Sequence, residues 1–387
     1  MNLDLQTIWV DSIAAVSADV LARCFPPSVE GSWWYTALEA GALGDQFRFS
    51  YLVLQQTGKS VGVVPAFTMD LPLDLVAPPL ARRLLQAGGR LSAWLRYQRT
   101  FFVGSPCADE GLIALPPEWP LEQCLPVIVQ AVRQRAAAQR SSLVVWKDVP
   151  AANWLPLDRL VSTEKFFRIP SFPGTKVDLP SGGFDAYLKT LDSENRYKLR
   201  KKLRQSHAQG DLEVTCTQHP GPAELQEIFA LYLNTWRRGK TKFERLTPEF
   251  FRAIAAAPAC HFLILREKAR RKMVAFMLLF RCGWKAINKF IGLDYDYAGD
   301  WFMYFRLWEE AVRWATATGA RELQSGQTGY FAKRDLGHKL VPLVNYCRHR
   351  NRLLHTVMAA VSRSITWRTL DDDLPERIAA PNPAAGP

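Results

Sequence analysis

The sequence predicts an α+β chain, mixed in its α/β order and built twice on one plan, each half a central mixed sheet flanked by helices. Three observations carry this. Apolar residues switch repeatedly between alternation, which marks strands, and three-to-four spacing, which marks helices. The resulting order of strand, two helices, hairpin, strand, helix and strand runs once before residue 155 and again after it. A chain of 387 residues that is 48% hydrophobic also has the length and apolar content for two packed cores.

In the first half, residues 6–13 read as a strand, followed by helices near 18–24 and 32–43. Residues 47–56 and 61–69 alternate around Thr57-Gly58-Lys59, which is a hairpin signal. The proline- and glycine-rich residues 70–99 read as a loop enclosing a short helical piece, with short strands at 100–104 and 112–115. Leu125, Ile128, Val129 and Val132 space a helix over 121–140, which feeds a buried strand at 142–149. Residues 153–173, punctuated by prolines, read as the connection between modules.

The second half opens with a strand at 176–179 and one long helix over 184–209, stopped by Gly210. A strand at 212–217, a helix at 222–238, and a helix opened by Thr247-Pro248 and ending near 257 follow. Residues 260–266 and 273–280 form a second hairpin, and 285–293 a further strand. A helix over 301–318 stops at Gly319, and a short strand covers 322–325. Residues 343–349 read as one more strand and 352–367 as a basic amphipathic helix that packs on the fold rather than on a membrane. The expected division is 1–155, 156–350, a C-terminal helix at 351–370, and a disordered tail at 371–387.

Composition excludes several classes. The longest uncharged apolar run, Met273 to Phe280, is far below the roughly 20 residues of a membrane-spanning helix. The start MNLDLQTIWVD lacks the basic-then-apolar order of a signal peptide, so the expected location is cytoplasmic. Seven scattered cysteines, without a Cys-x-x-Cys pair, indicate neither a disulfide framework nor a zinc site, and no metal is expected. Gly239-Lys240-Thr241 resembles the end of a P-loop, but the required upstream glycine is Asn234, inside a helix. The net charge of +12 favours anionic partners, and nothing sets an oligomeric state.

Two stretches concentrate chemistry. Arg196, Lys198, Arg200, Lys201, Lys202 and Arg204 form a run without acids, and on a helix Arg196, Arg200 and Arg204 stack at four-residue spacing. Such a run is either a solvated face or a seat for a polyanion. The loop from Ser325 to Lys333 follows a strand; Gly326 and Gln327 allow close backbone approach, and Lys333 supplies an ammonium for phosphate. Asp294 and Asp296 lie between a strand end and a helix start, where a carboxylate either caps the helix or accepts a proton from an attacking amine.

Residues 174–350 resemble the GNAT superfamily acyltransferases of the FemAB-like and cellulose-biosynthesis types. The resemblance rests on GTKVDL followed by ENRYKLRKKLRQ, on LTPEFFRAI, GLDYDY and WFMYFRLWEEAVRWATATGA, and on the closing SGQTGYFAKRDLG. It implies a duplicated GNAT-like fold and transfer of an acyl group (acetyl, longer acyl or aminoacyl) to an amine of a small-molecule or peptide-like acceptor. By position, the strand over 287–293 is expected to offer N–H groups to the carbonyl, Asp294 or Asp296 to act as base, and Tyr330 or Tyr304 to protonate or orient. Lys333, Arg196 and Arg200 are expected to hold phosphate. The family's Arg/Gln-x-x-Gly-x-Gly/Ala loop is replaced here by DYDYAGDW. Acyl-CoA and aminoacyl-tRNA are therefore both carried as donors, the latter making tRNA a partner. The alternative is a non-catalytic GNAT-like protein that binds RNA or an anionic surface through its basic helix.

Overall fold

The computed structural model describes residues 4–73, 97–209, 212–239, 242–297 and 301–376. In chain order the elements begin with β1 (Leu5–Val10), α1 (Ala18–Cys24), α2 (Ser32–Ala40), β2 (Arg48–Gln56), β3 (Lys59–Pro72) and β4 (Tyr97–Val103). Next come α3 (Leu121–Ala138), β5 (Leu143–Pro150), α4 (Trp154–Leu157), α5 (Arg159–Thr163), β6 (Phe167–Pro170) and β7 (Gly174–Asp178). They continue with α6 (Gly183–Thr190), α7 (Ser193–Ala208), β8 (Leu212–Thr217), α8 (Pro222–Arg238), α9 (Pro248–Ala255), β9 (Cys260–Glu267) and β10 (Lys272–Cys282). The last are β11 (Lys285–Leu293), α10 (Met303–Ala317), β12 (Glu322–Ser325), α11 (Tyr330–Asp335), β13 (Lys339–Val341), β14 (Leu343–His349), α12 (Arg352–Ser362) and α13 (Trp367–Leu370).

Two seven-stranded mixed sheets result, ordered β1-β2-β3-β4-β5-β14-β6 and β13-β7-β12-β11-β10-β9-β8. Each contains one parallel pair bridged by a helix: β4 and β5 through α3, and β11 and β12 through α10. A parallel pair needs such a crossover, whereas the other neighbours whose register is described are antiparallel. The duplicated plan is thus present in the strand pairing itself.

The chain forms two compact units, one of Met1–Pro26, Gly44–Pro173 and Val341–Pro387, the other of Pro27–Leu43 and Gly174–Leu340. These differ from a single division near residue 155. β14 pairs with β5 on one side and β6 on the other, so residues 343–349 complete the first sheet. Conversely, α2 belongs to the second unit, where Trp34 meets Phe250, Phe280 and Phe290 at 5.7, 5.8 and 6.5 Å. Strand pairing and aromatic packing across long sequence separations have no local signature.

In the first unit, Leu125, Ile128, Val129 and Val132 of α3 pack on Leu52, Leu54, Val64, Phe101 and Trp146. In the second, one face of the sheet takes the Leu307, Trp308, Ala311, Val312 and Ala315 stripe of α10 against Met277, Leu279, Ala286 and Leu323. The opposite face carries the aromatic group around Trp34. There Gly292 allows α8 to approach: a Cβ would lie 2.6 Å from the Leu231 carbonyl carbon and 2.7 Å from the Tyr232 nitrogen. Lys289 and Glu30 form an ion pair at 2.6 Å, with both side chains buried.

Several elements depart from the sequence expectation. The helix expected over 184–209 breaks at Leu191, and Asp192 caps α7 by accepting from the Asn195 N–H at 2.8 Å. An aspartate N-cap inside an otherwise helical pattern restarts the helix at lower cost than running through it. Residues 112–115 contribute only an isolated bridge between Ala114 and Val63. The expected connection at 153–173 contains α4, α5 and β6. The C-terminal helix stops at Ser362, and Thr366 caps the separate α13. Leu374, in the segment expected to be disordered, is buried, while residues 377–387 lie outside the described residues. Of the loop expected over 70–99, residues 74–96 lie outside them as well.

Candidate active site

β11 and β12 pair in parallel over only four positions, from Lys285 opposite Glu322 to Asn288 opposite Ser325. A bulge at Lys289 follows, since Leu279 faces Asn288 while Leu278 faces Phe290. β11 then continues to Leu293, still paired with β10 but without a β12 partner. The two strands form a fork, open toward the carboxyl end of β12. α8 lies along the longer arm, where the Thr235 hydroxyl accepts from the Leu293 N–H at 3.2 Å.

At the root of the fork a polar row replaces the apolar one. Ala286 and Leu323 face the α10 core, so Asn288 and Ser325, two residues further on, share that face. Thr175 lies opposite Ser325 on β7. All three are buried, and the Ser325 hydroxyl has no hydrogen-bond partner among the described residues. Buried orphan hydroxyls are costly and therefore mark places where a ligand or water completes the set.

The turn after β12 is held from behind. The Lys333 ammonium donates to the Ser325 and Gly326 carbonyls at 3.2 and 2.6 Å, and the Thr175 hydroxyl bonds the same two carbonyls. Gly326 and Gln327 thus contribute carbonyls that the protein itself engages: the Tyr330 phenol donates to the Gln327 carbonyl at 2.5 Å. Lys333 is buried, so its charge acts within the turn rather than reaching into solvent for a phosphate. The Lys333 carbonyl accepts from His338 Nδ1 at 3.0 Å, which fixes the tautomer and leaves Nε2 as a lone-pair acceptor. That atom is shut from solvent without a partner among the described residues, and the ring packs 4.7 Å from Trp308. Burial, with the Lys333 cation second, pushes the imidazole down to about 3, so it is neutral.

The remaining expected residues lie elsewhere. Asp294 ends β11 with its carboxylate 2.7 Å from the Lys272 ammonium and bonded to the Asp296 N–H at 3.1 Å. Asp296 is exposed in the one-turn helix Tyr295–Tyr297. Asp294 lies six positions beyond Asn288, about 20 Å at strand rise, so the structure does not bring it beside Lys333. Tyr304 sits half-buried in the first turn of α10, and burial raises its phenol above the ordinary range.

Arg200 belongs to a different feature, a groove of about 590 Å³ between α6, α7 and α10. Arg204, His207 and Arg313 share its walls with the apolar side chains of Phe184 and Leu203, and Glu309 lies at its floor. Burial raises the Glu309 carboxyl, but bonds from Arg313, His207 and Arg306 outweigh it and leave it below the ordinary 4.5. Not every cation of the basic run is unpaired: Lys198 meets Glu194 at 2.5 Å and Lys202 meets Asp335 at 3.2 Å. Arg200 and Arg204 have no such partner among the described residues and open into the groove, and Arg196 on the same helix is half-buried.

Residues 193–334 match the model of the acetyltransferase (GNAT) domain family. Among solved structures, FemX has a similar fold over 84% of this chain and 93% of its own, with a TM-score of 0.56 at 11% identity. A tandem GNAT protein from the clavulanic acid biosynthesis pathway aligns over 90% and 99%, with a TM-score of 0.51 at 11% identity. In fold, this chain is similar to FemX and to a tandem GNAT protein. A conserved Bacteroides thetaiotaomicron protein of unknown function has a similar fold over 88% of this chain and 99% of its own, with a TM-score of 0.54 at 13% identity. No curated protein matches the sequence. The sequence reading singled out Lys333 and the loop that begins at Ser325, but not Asn288, Thr175 or His338. The one usable signal was the amide at 288 inside the apolar strand AINKFIGL.

Proposed function

We propose that the protein moves an acyl group from an activated donor, acyl-CoA or aminoacyl-tRNA, to an amine of a small-molecule or peptide-like acceptor. The fork carries this reading, because β11 outruns β12 beside the buried polar row of Asn288, Ser325 and Thr175, in which the Ser325 hydroxyl has no partner among the described residues. Attack of a neutral amine on the donor carbonyl develops an oxyanion, and collapse expels a thiolate or alkoxide that needs a proton. In this reading the N–H groups of β11 beyond Asn288 receive the oxyanion. Lys333 and Thr175 hold the facing turn rigid. Tyr330, whose phenol already donates within that turn, protonates the leaving group. Arg200 and Arg204, with Arg196 beside them, hold the donor's phosphates in the groove. Asp294 keeps a role as proton acceptor only through intervening groups, and Asp296 and Tyr304 are assigned to the acceptor's approach.

The test offers acyl-CoA thioesters and aminoacyl-tRNAs in parallel, with amines as acceptors, and follows thiol release and loss of the aminoacyl ester. Turnover of one donor class identifies it. A second reading, a non-catalytic anion binder, is favoured by Arg200 and Arg204, which have no ion-pair partner among the described residues. Absence of turnover with both donors, together with RNA affinity that falls steeply with salt, would establish that reading instead.

A further inference from the structure

The C-terminal helix α12 is apolar on the side it turns away from the fold. Ser362 is buried and His355, Met358 and Ala359 are half-buried, with His355 lying 5.3 Å from the Phe167 ring of β6. At 100° per residue these define the inward side. Leu353, Leu354, Val357 and Val361 fall on the other side and are 73, 42, 50 and 37% exposed. Three of them repeat at four-residue spacing and Leu354 fills the gap, so they form one stripe. A surface helix of a soluble fold normally carries polar residues there, and a contiguous aliphatic stripe marks an interaction surface.

Charge identifies the partner. No Asp or Glu occurs between Asp335 and Asp371, whereas Arg348, Arg350, Arg352, Arg363 and Arg368 do. Arg350, Arg352, Arg363 and Arg368 are exposed, and no ion pair engages them among the described residues. Arg352 and Arg363 fall within about 20° of one another on the wheel, about 80–100° from Leu353 at the near edge of the stripe. A second copy docked through this face would set arginines against arginines with no acid to pair them. We propose that α12 seats the protein on an anionic lipid surface, its aliphatic stripe entering the boundary between headgroups and acyl chains and its arginines meeting lipid phosphates. This stands apart from the acyl-transfer reading, since α12 lies in the first unit and the fork in the second.

The full chain should co-sediment with vesicles of phosphatidylcholine and phosphatidylglycerol, and at least about tenfold more weakly with phosphatidylcholine alone. Leu353→Glu with Val357→Glu should reduce binding about tenfold or more at unchanged circular dichroism and melting temperature. Arg352→Gln with Arg363→Gln should weaken binding and flatten its salt dependence. Should the glutamates perturb folding, Leu353→Ser with Val357→Thr reads the same contact. Equal binding to both vesicles, or equal binding by the stripe variants, would overturn the proposal. So would a wild-type dimer in sedimentation that the stripe variants dissociate, which would assign the face to a second copy.

Discussion

Asn288 on β11 faces Ser325 on β12, and they are the last pair of the parallel ladder. Both are buried on the α10 face, in register with the apolar pair Ala286 and Leu323 one step earlier. The ladder therefore ends where the core turns polar. Everything proposed for acyl transfer follows from that coincidence, because an oxyanion needs donors in a dry place that strand pairing has not already consumed.

Lys333 ties the turn behind this pair through two carbonyls. Lys333→Ala should lower kcat by about 10²-fold or more while the donor's KM changes little, and Lys333→Arg should recover part of the loss. Full activity in the alanine variant would remove the turn from the mechanism.

Arg200 and Arg204 face the groove without carboxylate partners among the described residues. Each charge-assisted contact contributes about 1.5–3 kcal/mol, so Arg200→Glu with Arg204→Glu should raise the KM of a phosphate-bearing donor at least about tenfold. Steady-state kinetics at two salt concentrations would show it, with kcat unchanged.

His338 contributes a pH-dependent term with a definite sign. Its folded pKa is depressed from 6.5 to about 3, so the unfolded chain binds this proton first. The contribution is full above pH 6.5 and lost as pH falls toward 3. In urea titrations across that window, wild type should lose stability faster than His338→Gln; parallel curves would show that the imidazole is not held neutral.

Gly292→Ala tests how closely α8 lies on β11. The new methyl would meet Phe276 Cε1 at 2.3 Å and α8 backbone at 2.6 Å, and backbone cannot rotate away. A loss of about 1–3 kcal/mol or more is expected from chemical denaturation, larger than glycine-to-alanine changes in an open strand.

Local patterning made much of the second unit legible. The alternation in CHFLILRE and KMVAFMLLFRC marks β9 and β10, and the Leu307, Ala311 and Ala315 spacing marks the buried side of α10. The turn carrying Lys333 was legible because Gly, Tyr and Lys cluster after a short strand. Asp192 was less so, since one capping side chain competes with a strong helical run on either side.

Periodicity and residues adjacent in the chain set most element types and the doubled order, but not the break at Leu191, the fate of 112–115 or the helices and strand within 153–173. Only the tertiary structure decided that β14 completes the first sheet, that Asp294 is paired with Lys272 far along β11, and that Asn288, Ser325, Thr175 and His338 gather around the Lys333 turn. Strand register and side-chain burial are set by contacts between residues tens to hundreds of positions apart. No local pattern records which of two equally polar residues will end at the root of a fork and which in an ion pair at its tip.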